Sequence, residues 1–452
     1  MSFFKKIMGG DEEKNSHQPT AESRSEHPAI RFGRYTDMNK SPEQIRHWDD
    51  SMNAYKEKNY MNCFRSFIQY IADPGEQNVS WREEGSVMKF EIVQGSKIVK
   101  GHASAEEFAA ESFIATFDTP GVAVMRKLMS LNYSMKYSWY AIKDNALCMK
   151  FTTAAGSASP YKLYDALKEL STSVDKQDDI LLDEFDSLRP VDNPAMIEVP
   201  EAEKEIKLKY FYRWLDETFE KVSKLDEEKF SGAISYLWLS LAYKSDFLLS
   251  PEGVLTNSLE KVHSLYFQKF PEGQHPGYIS LNRKIEDEYK KLREMPREEI
   301  YKSFYRTKAT FTILVPANFK QIADYVFNES KNTEYYYNNR MDDMVQTIYQ
   351  HIAGYCLFIY GLYVPIKKLL QLYLHITNND FFTELGFPQQ FYNPATKALN
   401  GQAISNEINV IIADGKKEFP ALGYNLNNLR YDSLTEFSVS FFKEFDFLNF
   451  TK

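Results

Sequence analysis

The chain has 452 residues, 43% hydrophobic and 26% charged, enough for two or three ordinary folded domains with sizeable cores. Its net charge of −9, with Lys and Arg scattered among acids, argues against a nucleic-acid backbone as the main partner. Three dispersed cysteines, Cys63, Cys148 and Cys356, argue against a disulfide framework or a thiolate zinc site and fit a reducing cytoplasm.

Residues 1–40 read as a flexible leader: 9–40 are polar and poor in apolar positions, and the opening MSFFKKIMGG lacks the apolar stretch of a signal peptide. Order is expected from Ser41. Ser41-Pro42-Glu43-Gln44 is a capping box with proline at the first helical position. Helical spacing then runs through Ile45, Trp48, Met52 and Tyr55, and resumes at Cys63, Phe64, Phe67, Ile68 and Ile71 until Asp73-Pro74-Gly75. Three alternating stretches follow, around Val79-Trp81-Glu83, Val87–Ile92 and Ile98–His102, separated by Gly85 and Gly95. They read as a three-stranded antiparallel meander. Ser104-Ala105-Glu106-Glu107 reads as a cap for a helix over 108–117, and Thr119-Pro120 opens a second helix reaching about Leu131.

Tyr133, Met135, Tyr137 and Trp139 alternate as a strand, Asp144-Asn145 turns the chain, and Leu147, Met149 and Phe151 alternate again. Ser159-Pro160 then starts a long helix with Leu163, Ala166, Leu167, Leu170 and Val174 on one face. Pro190, Pro194 and Pro200 mark a linker at 188–203. Beyond it helices are expected near 204–224, 227–248, 254–269, 278–294, 297–308, 317–329, 340–362, 364–376, 403–413 and 433–449. The predicted organisation is therefore an α+β domain over 41–187 (helix, three-stranded antiparallel meander, helices, two strands, long helix) followed by a mostly α-helical domain over 204–452.

The order of elements over 41–185 resembles the YbjN family and the class I, Tir-chaperone-type chaperones of type III secretion. The resemblance covers about a third of the chain, and its closest local match runs from Leu131-Asn132 through the strands Tyr133–Ile142 and Leu147–Thr153 into the helix after Pro160. The resemblance implies protein binding: such proteins dimerise through sheet and helices and hold an extended partner segment along apolar surface. The physical route is addition of a strand to an exposed sheet edge. No catalytic residue is carried over from it.

No phosphate-binding glycine loop, dinucleotide fingerprint, nucleophile elbow or paired-histidine zinc motif occurs in the sequence. His47 and Asp50 share a helix face but are too few to hold a metal. Asp342 and Asp343 begin a helix, where acids suit the dipole, and His351 and His375 lie on apolar helices. Neither a cofactor nor a metal is expected. The longest apolar run, 352–366, contains Gly354, Gly361 and Pro365 and falls short of the ~20 residues of a membrane span.

Aromatic residues reach 15%, so candidate partner-binding residues are Trp81, Phe90 and Trp139 on the strands and Phe437, Phe441 and Phe445 on the last helix. Tyr335-Tyr336-Tyr337 is a further cluster of rings suited to stacking on a ligand. The function expected is a cytoplasmic, non-catalytic binding adaptor of chaperone-like type, its partner another protein or a second copy of itself. The alternatives are a structural subunit of a secretion or defence assembly, and an enzyme with a dispersed site at Asp342, Asp343 and His351.

Overall fold

In the computed structural model, which describes residues 28–119, 121–191 and 195–451, the Ser41 capping box is formed. Ser41 Oγ accepts from the Gln44 amide at 3.1 Å, and Gln44 Oε1 accepts from the Ser41 amide at 2.9 Å. It opens α1 (Pro42–Lys56), which packs on α2 (Tyr60–Ile71). The apolar face of α2 is buried, as its spacing requires.

The sheet is larger than the sequence suggests. Strands β1 (Val79–Glu84), β2 (Val87–Gln94), β3 (Lys97–Ala103) and β4 (Glu107–Thr116) form a four-stranded antiparallel meander. After α3 (Val122–Ser134), strands β5 (Trp139–Lys143) and β6 (Ala146–Ala154) join it, giving the order β1-β2-β3-β4-β6-β5.

The helix expected over 108–117 is thus a central strand. Phe108, Ala110, Ser112 and Ile114 point into the core with period two, and β3 and β6 hydrogen-bond its two sides. Its helix-forming Ala and Glu residues yield to that pairing, because strand propensity is set by packing more than by the backbone. The Ser104 hydroxyl does accept the Glu106 and Glu107 amides, each at 3.2 Å, but this turn leads into β4. The strand expected from Tyr133 also starts later, at Trp139, because α3 continues to Ser134. Pro120, expected to open α3, lies outside the described residues, as do residues 1–27 and Pro194.

Helix α4 (Pro160–Glu184) covers one face of the sheet with Leu163, Ala166, Leu167, Leu170 and Val174, the face read from its sequence. The opposite face carries cross-strand charges, with Lys143 2.7 Å and Lys150 3.4 Å from Glu111.

The expected linker is partly paired: β7 (Arg189–Pro190) bonds to the end of β4, and β8 (Ile197–Glu198) precedes α5 (Glu201–Ser223). The helical domain continues with α6 (Ser231–Leu249), α7 (Gly253–Phe267), α8 (Tyr278–Glu294) and α9 (Arg297–Lys302). Then come α10 (Phe319–Lys331), α11 (Glu334–Asn338), α12 (Asp342–Ile359), α13 (Val364–Thr377), α14 (Asn379–Glu384), α15 (Gly401–Gly415) and α16 (Leu434–Lys443). Helices α6 and α12 pack together at its centre. A Cβ on Gly354 would stand 2.7 Å from Tyr243 Cβ, so this glycine permits the close crossing.

Each half reaches into the other. Residues 28–40, expected to be flexible, bury Phe32 in the helical core, and the Gly33 amide donates to Phe247 O at 2.8 Å. Arg34 forms ion pairs with Asp246 at 2.7 Å and Glu260 at 3.0 Å. In return, the segment after α9, expected to be helix to 308, leaves its helix at Lys302 and crosses to the sheet. Phe311 is buried in the α+β core against Tyr164, and the Thr310 and Phe311 amides donate to Gln94 Oε1 at 3.1 and 3.0 Å. Among the described residues, no helix is long and apolar enough to cross a membrane.

Candidate functional site

The two edges of the sheet differ in chemistry. At β1 every residue after Val79 is exposed, Trp81 among them, but Arg82, Glu83 and Glu84 crowd the strand. Arg65 pairs with Glu83, and Arg82 and Lys89 pair with Glu84. Charges of this kind discourage further strand pairing.

Edge strand β5 reads Trp139-Tyr140-Ala141-Ile142-Lys143, with Trp139 and Ile142 exposed. It is held firmly. Asn132, at the end of α3, accepts from the Tyr140 amide at 2.6 Å and donates to Tyr140 O at 3.0 Å. The Glu169 carboxylate of α4 accepts the amides of Lys136, Tyr137 and Ser138 at 2.9, 3.0 and 2.9 Å, and the Ser138 hydroxyl at 2.6 Å. Burial works against its charge, but these hydrogen bonds win and hold the carboxyl below its usual value.

Helix α3 has two apolar faces. Val124 and Leu128 enter the core. Val122, Met125, Met129 and Tyr133, spaced three, four and four, form a second face left in solvent, with Met129 72% and Tyr133 95% exposed. Arg126 and Lys136 are exposed beside it. Helix α3 packs beside β5, so this exposed stripe belongs to the helix next to the edge strand.

Close by, a cavity of about 610 Å³ lies between the two domains and reaches Leu131 and Met135 at the end of α3. Its acids stand out. Asp175 accepts from the Ser96 amide at 2.9 Å, and burial together with Glu252 raises it well above the usual carboxyl range. Burial pushes Glu252 up to about 7 and, helped by Asp178, Asp179 to about 6. Burial thus disfavours the charged form of Asp175, Asp179 and Glu252 alike.

The other residues singled out from sequence fall mostly into the core. Phe90 is buried, its ring stacked on Phe108 at 5.0 Å with Gly101 making room behind it. Phe437, Phe441 and Phe445 are fully buried where α16 and the turn after it dock on the helical core, with Tyr373 and Tyr424 packed against Phe441. These four are corrected to core residues: a stripe of rings at helical spacing is equally what an internal helix needs. Trp81 and Trp139 remain accessible.

His47 and Asp50 lie toward solvent on α1. No group of three or more His, Cys, Asp and Glu side chains able to hold a metal occurs among the described residues. Asp342 and Asp343 sit exposed in the first turn of α12, whereas His351 is buried two turns on, so the three do not converge. His375 stacks on Phe382 at 3.8 Å inside the helical core.

The exposed face of α3 was missed from sequence because both its stripes are apolar. The helix was expected to end near Leu131 with Tyr133 in a strand, so the outward row that closes on Tyr133 could not be seen.

The fold is an N-terminal region of antiparallel sheet and helices followed by a mostly helical C-terminal region. No family model matches the chain, and no curated protein matches it in sequence.

Proposed function

We propose that this protein is a non-catalytic, chaperone-like adaptor that binds another protein through the α3–β5 surface. The observation that carries this reading is the exposed row Val122, Met125, Met129 and Tyr133 on α3, which packs beside β5 with its exposed Trp139 and Ile142. A contiguous exposed apolar patch marks an interaction site, and methionines adapt to varied partner side chains. An incoming segment lays its apolar side chains on the exposed α3 row and on Trp139 and Ile142, because Asn132 already occupies the outward backbone groups of Tyr140. The basic rim of Arg126 and Lys136 favours a segment flanked by acids.

The test is a full-length variant carrying Met129→Glu and Tyr133→Glu. Both positions are exposed, so unfolding stability should change by no more than about 0.5 kcal/mol each. Co-purification of the partner should fall at least tenfold. Undiminished co-purification by the folded variant would sink the reading.

A further inference from the structure

A second cavity, of about 840 Å³, opens in the helical domain, away from the α3–β5 surface. Rings dominate its wall. Tyr236 of α6, Tyr266 of α7, Tyr278 of α8 and Tyr325 of α10 all line it, with Tyr266 and Tyr278 stacked at 6.1 Å. Burial raises the phenols of Tyr236, Tyr266 and Tyr325 above their usual range, so these rings stay neutral and keep electron-rich faces.

Polar groups interrupt the aromatic wall, Glu329 and His351 among them. Glu329 Oε2 accepts from the Tyr236 hydroxyl at 2.6 Å and from Asn332 Nδ2 at 3.2 Å. Oε1 has no partner among the described residues. The nearest cation on the same helix does not neutralise it: the Lys331 ammonium turns back onto the Phe327 ring at 4.0 Å and Asn328 Oδ1 at 3.3 Å. Lys229 stays at the exposed rim.

His351 of α12, only 3% exposed, also lines the cavity. Its Nε2 is 3.3 Å from the Tyr325 hydroxyl, but its Nδ1 has no hydrogen-bond partner. A buried polar atom left unpaired costs about 1–3 kcal/mol unless something else satisfies it. Burial holds the imidazole down to about 3, so it is neutral.

We propose that this cavity binds a small organic ammonium cation, its charge held by the tyrosine faces and Glu329. Ring faces attract alkylammonium groups, and a carboxylate beside them adds the counter-charge. An anion would meet the Glu329 carboxylate and the negative ring faces. A wholly apolar ligand would displace water from the Glu329 carboxylate and put no counter-charge in its place.

The experiment is calorimetric titration of the full-length protein with choline, with 3,3-dimethylbutanol, which has the same shape without the charge, and with benzoate. Choline should bind saturably, the neutral alcohol about tenfold more weakly, and benzoate not at all. Glu329→Gln, at a half-buried position that tolerates the change, should weaken choline about tenfold while leaving the melting temperature of the unliganded protein near that of the wild type. A peptide bearing trimethyllysine, run alongside, separates a tethered cation from a free one; saturable binding of either supports the site. The proposal is overturned if neither cation binds, if the neutral alcohol binds as tightly as choline, or if Glu329→Gln leaves choline affinity unchanged.

Discussion

Glu252 sits on the interdomain cavity, where the Thr307 hydroxyl donates to it at 2.7 Å, yet burial pushes its carboxyl from 4.5 up to about 7. Between those pH values the native protein binds more protons than the unfolded chain, so stability falls as pH rises from about 4.5 to 7. Asp179, raised from 3.8 to about 6, adds to the same slope. Glu252→Gln keeps an acceptor for Thr307 and removes the charge. At pH 8 the variant should be about 1–2 kcal/mol more stable than wild type in urea unfolding, with the gain gone by pH 4. Equal stability of the two proteins across that range would show that Glu252 titrates as if in water. His351 acts in the opposite direction, since a histidine held down to about 3 costs stability as pH falls below 6.5.

At the level of single elements, most of the fold was legible where one signal was strong. The Ser41 box, the α2 stripe and the buried face of α4 follow directly from spacing and caps. Legibility failed where two patterns coincided. The run from Phe108 to Ile114 contains Ala and Glu yet alternates, and only its neighbours β3 and β6 decide in favour of a strand. Phe437, Phe441 and Phe445 repeat at a spacing shared by core helices and binding helices, and the decision lies in what packs above them. Of the candidate site, Trp139 was visible in the sequence; the outward stripe of α3 was not.

The placement of β5 depends on Glu169, which ties down the turn before it. Glu169→Gln replaces charge-assisted hydrogen bonds with weaker ones and should cost about 1–3 kcal/mol. Because the native carboxyl is held below its usual value, the wild type should lose that advantage as pH falls through the acid range. Faster amide exchange confined to 135–143 in the variant would confirm the pin; unchanged exchange there would contradict it.

Across the whole molecule, the two halves are joined by exchange rather than by a single linker. Residues 28–40 hand Phe32 and Arg34 to the helical domain, and the segment after α9 hands Phe311 to the sheet domain. Phe311→Ala should therefore cost about 3–5 kcal/mol and still give one cooperative unfolding transition. Two separate transitions would mean that the halves are energetically independent. The same exchange makes the full-length chain the proper material for binding work, since residues 41–187 alone lack Phe311.

The binding role is tested most directly by photo-crosslinking in the native cell. A benzophenone amino acid is placed at position 129 on α3, at 142 on β5 and, for comparison, at 82 on the charged edge β1. Adducts to one other protein at 129 and 142, mapping to an apolar segment with acidic flanks and absent at 82, are the expected result. Adducts at 82 alone, adducts only to a second copy of this chain, or none at 129 and 142 would contradict the assignment of α3 and β5 as the docking surface.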